Sequence, residues 1–334
     1  SRILPILAWA SLWLGLGSGQ YPSQKSIRVE VEMVSLPVSV TTRAGKLVAG
    51  LAKEDFQVFE DKVQQKIEAF TATEEPFSVA LLLDTSGSTQ LQLDRIQQEA
   101  IRFTNLLKPQ DSVAIVSFAD DVTLLQDFTT NRTRAAAAIR KTRSGGYTVL
   151  YEATWLAFKE VIPSARQRCA VVLLTDGVDT ASEKATKAET RELAKESKAP
   201  VYCIYFNTQA DMQGSPRSRI PGQTYPPVTG QPPVTPPIPG VGSSTEDYMG
   251  GRQYLADLAD YSGGIVLEAL RMEDLTPAYE AIARELSSQY SIGYYPTNPR
   301  HEGKYRKVEV KVTKPGLYVQ TRKGYYEPDS RKGH

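Results

Sequence analysis

The chain of 334 residues is poor in the side chains on which most hydrolases and transition-metal enzymes depend. It contains two histidines, and both have unpromising positions: His301 lies in a polar turn and His334 is the last residue. Neither is a credible general base. No G-x-S-x-G nucleophile motif and no P-loop lysine motif occurs. An aspartic-protease interpretation of the D-T-S-G turn fails because no second copy is present. We therefore expect a protein that is not an enzyme.

The chain has only two cysteines, Cys169 and Cys203. Each lies in a predicted strand. If these strands are parallel neighbours with level carboxyl ends, the two residues are offset by about three positions, or roughly 10 Å. This exceeds the ~7 Å limit between the Cα atoms of a disulfide. We expect free, buried thiols.

An excess of charge of either sign is also missing, since 39 lysines and arginines balance 38 aspartates and glutamates. The sequence therefore lacks the basic surface that nucleic-acid binding requires, and we predict no nucleic-acid partner. The apolar fraction of 41% is sufficient for a sizeable core. The length predicts about two domains of ~100–200 residues each.

Long apolar runs are absent except near the start. Residues 1–16 are apolar and shorter than the ~20 residues of a spanning helix, and small residues follow at 17–19. We interpret residues 1–19 as a signal peptide that lacks its first residues; a retained anchor or a buried helix is the alternative. No membrane span is expected in the mature chain. Export without a disulfide predicts a bacterial protein, periplasmic or secreted.

The middle of the sequence alternates apolar strand patterns with amphipathic helix patterns. This predicts an α/β fold with a doubly wound, mostly parallel, six-stranded Rossmann-like sheet. Only a few residues separate the second and third strands, which predicts a hairpin with an antiparallel edge. The predicted strands are 78–83, 112–118, 122–126, 170–174, 201–206 and 264–267. The predicted helices are 91–107, 133–141, 150–161, 185–197, 251–261 and 273–287.

Both flanks of this region alternate apolar and polar residues, as half-buried strands do. Neither the segment 27–75 nor the segment 288–327 has enough strands for a core of its own. We predict that the two pack together as one small β-sandwich. The α/β domain then covers residues 76–287, with a proline-rich insertion at 208–250. The insertion should be extended, either as a tolerated surface excursion or as a docking arm.

Three short segments supply candidate metal ligands. A continuous apolar strand ends in Asp84, and Ser86 and Ser88 follow at every second position. A second apolar strand ends in Asp176, and a glycine loop between them leads to Thr148. Ligands bind at the carboxyl ends of such strands. Carboxylate and hydroxyl oxygens suit Mg²⁺ or Mn²⁺ better than Zn²⁺. Alone, the first segment could simply be a turn and a helix cap.

The D-x-S-x-S segment, the threonine of the glycine loop and the T-D-G turn, in this order, resemble the von Willebrand factor type A domain. The resemblance covers about residues 77–287. It implies a metal-ion-dependent adhesion site that binds Mg²⁺, Mn²⁺ or Ca²⁺ and accepts an aspartate or glutamate carboxylate from a partner protein. It assigns the metal site to Asp84, Ser86, Ser88, Thr148 and Asp176. The two serines would bind directly and the last aspartate through water.

A finer resemblance rests on the two flanks. The segment D-F-x-V-F-E-D at 55–61 and the G-Y-Y strand at 293–295 are similar to those of acidobacterial VWFA-related proteins. That label implies no reaction and no particular partner.

Two functional hypotheses follow. In the first, the metal site binds the partner; in the second, the metal is structural and the β-sandwich or the proline-rich arm makes the contacts. The last helix, 273–287, continues into the terminal β segment, either as a static connection or as a switch of the kind used by integrin-like relatives. For Asp84→Ala we expect lost metal binding and little loss of fold, because the carboxylate should face solvent.

Overall fold

The computed structural model describes residues 33–72, 75–165, 168–206, 244–298 and 303–327. The predicted signal peptide, residues 208–243 of the proline-rich insertion and both histidines lie outside these ranges. The described part of the chain from residue 33 onward belongs to one unit. The domain boundaries given above stay a prediction.

The strands of the described residues are numbered in chain order. They are β1 (Val34–Thr42), β2 (Phe56–Glu60), β3 (Val63–Gln65), β4 (Ile67–Ala72), β5 (Phe77–Asp84), β6 (Ser112–Phe118), β7 (Val122–Thr129), β8 (Arg168–Thr175), β9 (Val201–Phe206), β10 (Val266–Ala269), β11 (Tyr290–Tyr294), β12 (Tyr305–Val312), β13 (Leu317–Gln320) and β14 (Gly324–Tyr326).

The α-helices longer than one turn are α1 (Leu93–Leu106), α2 (Arg132–Ile139), α3 (Leu150–Leu156), α4 (Lys187–Glu196), α5 (Thr245–Ser262) and α6 (Leu275–Ser288). A 3₁₀ turn at Gly87–Gln92 precedes α1, and a π turn at Ala157–Val161 continues α3.

A six-stranded sheet in the order β10-β9-β8-β5-β6-β7 forms the centre of the α/β part. All its neighbours pair in parallel except β7, which forms an antiparallel hairpin with β6. Helices α1, α2 and α6 cover one face, and α3, α4 and α5 cover the other. Every residue of β5 is buried, which explains its continuous apolar sequence. The predicted doubly wound sheet and its hairpin edge are confirmed.

Helix α5 begins earlier than the sequence pattern predicted. The expected start was Gly251, but the helix starts at Thr245, and Ser244 and Asp247 form a reciprocal capping box. The prediction was wrong because two adjacent glycines, Gly250 and Gly251, are more typical of a loop than of a helix. A glycine is needed inside this helix because the backbone of Gly177 lies against it.

The two flanks form a pair of four-stranded antiparallel sheets, β13-β1-β11-β4 and β14-β12-β2-β3. Each sheet combines strands from before and after the α/β part. One apolar cluster joins both sheets; the ring of Phe56 in β2 lies 5.1 Å from that of Tyr290 in β11. The predicted β-sandwich built from both flanks is confirmed.

A buried charged cluster fastens the sandwich. Arg306 of β12 donates to Glu60 through Nη1 at 2.6 Å and to Glu327 through Nε at 2.9 Å. The hydroxyls of Tyr294 and Tyr325 donate to the other oxygen of Glu60 at 2.8 and 2.7 Å. The charged side chains are at most 6% exposed. Each charge thus depends on its partners rather than on water.

Replacing Arg306 by methionine should therefore destabilise the protein strongly, because it leaves two carboxylates buried without a cation. We expect a loss of about 3–5 kcal/mol in the free energy of unfolding, measured with urea. Lys66→Met is the matched control; Lys66 pairs with Glu68 but is 81% exposed, and should cost less than about 1 kcal/mol. Equal losses in the two variants would contradict this account of the cluster.

A second buried carboxylate lies where the sandwich meets the α/β part. Glu285 of α6 accepts hydrogen bonds from the hydroxyl of Ser39 in β1 at 2.9 Å and from that of Tyr202 in β9 at 3.1 Å. The amide of Gln289 donates to the Tyr202 oxygen at 3.2 Å. Burial raises the pKa of Glu285, and the hydrogen bonds from Ser39 and Tyr202 oppose that rise.

Because the folded-state pKa of Glu285 lies above the value of 4.5 for an unfolded glutamate, folding favours the protonated form. Its contribution to stability is complete below about pH 4.5 and is lost as the pH rises through the folded-state pKa. The difference in unfolding free energy, wild type minus Glu285→Gln, should therefore fall as the pH rises from 4.5. The fall should be about 1.4 kcal/mol for each unit by which the pKa is raised. A pH-independent difference would refute the shift.

The two cysteines are free, as predicted. Cys203 lies opposite Leu173, so Cys169 is four positions away along the neighbouring strand rather than about three. Cys203 is buried, whereas Cys169 is only partly buried. Burial raises the pKa of the Cys169 thiol to about 12.

Candidate metal site

The first segment of the candidate site is the loop that follows β5. Asp84 ends the strand, and its Oδ1 accepts from the backbone N–H of Ser86 at 3.0 Å and from the Ser86 hydroxyl at 2.6 Å. The hydroxyls of Ser86 and Ser88 lie 3.2 Å apart. Thr89 donates to the carbonyls of Asp84 and Ser86, which closes the turn. Three predicted site residues are therefore in direct contact.

The second segment follows β8, the parallel neighbour of β5. Leu83 lies opposite Leu174, so the two strands end level. The hydroxyl of Thr175 donates to Asp84 Oδ2 at 2.6 Å. Asp176 comes next, and its Oδ1 accepts from the N–H of Val178 at 3.1 Å. Thr175 was missed from the sequence, although it is the threonine of the T-D-G turn.

The glycine loop is joined to both other loops. The N–H of Gly145 donates to the carbonyl of Thr85 at 2.9 Å. On its other side, the N–H of Thr148 donates to the Thr180 hydroxyl at 2.8 Å, and the N–H of Thr180 donates to the carbonyl of Thr148 at 2.9 Å. With the bond from Thr175 to Asp84, the three loops form a closed ring of hydrogen bonds.

Asp120, which the sequence did not single out, fixes the glycine loop. Its carboxylate accepts from the N–H groups of Gly146 and Tyr147 at 3.0 and 2.8 Å. The bond from Tyr147, followed by that from Gly146, lowers the pKa of Asp120. A Cβ at Gly145 would lie 2.6 Å from both the Cβ of Ala119 and the Asp120 carboxylate, so a side chain there would force these neighbours to shift. The only sign of this role in the sequence was an acidic residue shortly after the end of β6.

The candidate site is more deeply buried than expected. Asp84, Ser86, Thr148 and Asp176 are 0% exposed, and Ser88 is 4% exposed. The expectation of a solvent-facing Asp84 carboxylate was wrong, because the glycine loop and the T-D-G turn cover the end of β5. Burial raises the pKa of Asp84, against the lowering effect of the bonds from Ser86 and Thr175. Truncation to alanine would strip those donors of their acceptor, so asparagine is the better probe.

The arrangement offers hard oxygen ligands. Two carboxylates and three hydroxyls come from the three loops, a set suited to Mg²⁺, Mn²⁺ or Ca²⁺. Within the described ranges, no group of three or more His, Cys, Asp or Glu side chains is placed to hold a metal ion. A cation held here would need the hydroxyls as ligands beside the two carboxylates.

The described helices include none that is long and apolar enough to cross a membrane.

Residues 79–178 match the family model described as the von Willebrand factor type A domain. The match covers 100 of the 334 residues, and within this segment the chain resembles a von Willebrand factor type A domain. The match includes all five predicted site residues. The resemblance to acidobacterial proteins stays a prediction.

Solved structures of several other proteins are similar to the chain. One is proximal thread matrix protein 1 from the mussel byssus with a zinc-occupied adhesion-site motif, at 15% identity over 68% of this chain and 49% of that one, with a TM-score of 0.45. Another is a von Willebrand factor type A protein from Catenulispora acidiphila, at 11% identity over 83% and 74%, with a TM-score of 0.46.

A third is the conserved hypothetical protein BatB from Bacteroides thetaiotaomicron, at 17% identity over 64% of this chain and 100% of that one, with a TM-score of 0.43. The chain spans about half the length of the byssus protein. A search of the curated proteins found no match.

Gly177, in the T-D-G turn, should tolerate no side chain. Its φ is +79°, and a Cβ there would lie 2.8 Å from the backbone of Gly251. Gly316 is a matched control, since its φ is +76° but the space around it is open. We expect Gly177→Ala to lose about 1–3 kcal/mol more unfolding free energy than Gly316→Ala in urea titrations. Similar losses would show that α5 can move away from the turn.

Proposed function

We propose that this protein binds a divalent cation at Asp84, Ser86, Ser88, Thr148 and Asp176, and through it a carboxylate of a partner protein. One observation carries the proposal: hydrogen bonds close the three loops into a ring that holds Asp84 and both serine hydroxyls together. Such a ring fixes the ligand oxygens before a cation arrives, which reduces the ordering that binding requires.

The charge balance supports a cation at this position. Asp84 is completely buried, and no lysine or arginine of the described residues forms an ion pair with it. A buried carboxylate is costly without a countercharge. A bound divalent cation would supply that charge, and because its remaining ligands are neutral hydroxyls and water it would stay electrophilic toward an incoming anion.

The proposed activity is binding rather than catalysis. Both carboxylate oxygens of Asp84 accept hydrogen bonds within the loops, and the hydroxyls of Ser86 and Ser88 lie within hydrogen-bond distance of each other, which supports a role for them as ligands. In the proposed function the carboxylate of the partner completes the ion's coordination. The alternative is a structural ion, with the β-sandwich or the proline-rich arm contacting the partner.

Asp84→Asn tests the metal site, because it preserves shape and removes the charge. We expect Mg²⁺ and Mn²⁺ binding, measured by calorimetry, to be lost in this variant, with an unfolded fraction no larger than in wild type. Asp121→Asn is the matched control, an exposed acid near the same edge of the sheet, and should bind as wild type does. Retained binding in Asp84→Asn would sink the proposed site.

A carboxylate-bearing peptide separates the two functional hypotheses. If the ion receives the partner, peptide binding should require Mg²⁺ and disappear in Asp84→Asn. If the protein binds the ion but captures the peptide equally well with and without Mg²⁺, the structural alternative is favoured.

A further inference from the structure

A cavity of about 260 Å³ lies where the sandwich meets the α/β part. Ser35 of β1 and Ser291 of β11 belong to its wall on the sandwich side. On the other side it is lined by Phe77 at the start of β5 and by Arg168 and Cys169 at the start of β8. The cavity is therefore at the opposite end of β5 from the candidate metal site. Spaces between two packed parts of a chain are frequent ligand sites.

Much of the cavity wall is apolar. Pro37, Phe77, Ile162 and Pro200 are among the lining residues. The volume equals that of about nine waters at about 30 Å³ each, so a molecule of roughly ten non-hydrogen atoms fits. An apolar body of this size gains free energy when it leaves water for such a wall. Lipids with long chains and nucleotides are too large.

Cationic side chains determine which charge the cavity attracts. Arg168 and Lys198 both line it. The guanidinium of Arg168 lies 5.0 Å from the centre of the Phe77 ring. Its one hydrogen bond within the described residues runs from Nη2 to the carbonyl of Glu75 at 3.3 Å. The Glu75 carboxylate is 3.7 Å from Nε, and its side chain is 55% exposed, so this ion pair is weak.

A second acid near Arg168 is already engaged by other groups. The carboxylate of Asp111 accepts from the N–H of Phe77 at 2.9 Å and from that of Lys108 at 2.8 Å. Burial lowers the pKa of Arg168, and the charges of Glu75 and Asp111 only partly oppose this effect. The positive charge of Arg168 is therefore incompletely balanced by the protein itself.

A third cation lies behind the wall. Arg322 is 2% exposed, and it donates to the carbonyl of Ser35 at 3.0 Å and to that of Ser197 at 3.4 Å. Its Nε has no acceptor, and among the described residues no carboxylate pairs with it. Ser35 lines the cavity and Ser197 directly precedes Lys198, so this buried charge lies close to the cavity. Burial lowers the pKa of Arg322.

The contrast with Arg306 shows what Arg322 lacks. Arg306 is buried in the same sandwich, but it donates to the two carboxylates of Glu60 and Glu327. A buried charge is costly unless a countercharge lies near it. An anion in the cavity would supply that countercharge for Arg322 and accept hydrogen bonds from Arg168.

We propose that this cavity binds a small carboxylic acid with an apolar body, of the size of an aryl-substituted propionate. The carboxylate pairs with Arg168 in the field of Lys198 and Arg322, and the apolar body packs against Phe77 and Ile162. The cavity shares no residue with the candidate metal site, so this binding requires no divalent cation.

The probe is 3-phenylpropionate, titrated by calorimetry into the full chain with a chelator present. The chelator removes any cation through which the acid could bind at the metal site. The uncharged counterpart is 3-phenylpropanamide, and propionate lacks the apolar body. We expect the phenyl acid to bind at least about tenfold more tightly than either, because a charged hydrogen bond and a buried ring are each worth about that factor.

Arg168→Gln should abolish the preference for the acid over the amide. Arg252→Gln is the matched control, because Arg252 also pairs with one glutamate, Glu268, but does not line the cavity. This control should keep the preference of the wild type. Thermal unfolding verifies that both variants are folded.

Cys169 reports occupancy of the cavity without a substitution. It lines the cavity, whereas Cys203 is completely buried. Because burial raises the pKa of the Cys169 thiol to about 12, its reaction with methyl methanethiosulfonate is followed at about pH 9. Mass spectrometry locates the label. Addition of 3-phenylpropionate should slow the labelling of Cys169, and the amide at the same concentration should slow it much less.

Other results would overturn the proposal. Absence of binding to the wild type refutes it directly, and equal binding of acid and amide would show an apolar cavity without a preference for anions. Binding only with Mg²⁺ and without chelator would assign the acid to the metal site. Equal losses in Arg168→Gln and Arg252→Gln would indicate a general charge effect, and unchanged labelling of Cys169 would place the bound acid elsewhere.

Discussion

The hydrogen bond from Thr175 to Asp84 is the contact on which the candidate site depends. It exists because β5 and β8 are parallel neighbours that end level, so the last residue of one strand lies beside the last residue of the other. An antiparallel arrangement would send these two residues to opposite edges. The bond also gives the buried Asp84 carboxylate a hydrogen-bond donor at Oδ2, while Ser86 donates to Oδ1. The loop after β5 and the T-D-G turn are thereby held together, and the glycine loop is hydrogen-bonded to both of them.

The sandwich is organised by a comparable constraint. Glu60 is the acid of the D-F-x-V-F-E-D segment, and Tyr294 belongs to the G-Y-Y strand; the tyrosine hydroxyl donates to that acid. Two segments far apart in sequence thus share one buried cluster, completed by Arg306. Neither segment can bury its polar group without the other. This dependence gives a physical reason for the two flanks to form one sandwich rather than two small units.

The order of strands and helices was predictable because the apolar runs and the amphipathic periods are strong, as in β5 and α1. The contact between Asp84, Ser86 and Ser88 was also predictable, since their spacing places them on one turn. Residues whose roles depend on tertiary packing were not predictable from the sequence. Asp120 acts through backbone groups 26 positions away. The start of α5 is set by a cap and by a glycine contact with another loop. The burial of Asp84 is set by loops that are distant in sequence and meet only in the folded chain.

The α/β part is attached to the sandwich at the edge of the sheet opposite the metal site. Strand β4 leads into β5, helix α6 leads out to β11, and β4 and β11 pair with each other, with Tyr290 opposite Ala72. The candidate metal site begins at Asp84, seven positions after Phe77 at the start of β5, at a distance of roughly 23 Å. A mechanical load applied by a partner at that site would reach the sandwich through two adjacent covalent connections. Because a hydrogen-bonded ladder joins these connections, the tension is divided between two strands instead of peeling one strand from its neighbours.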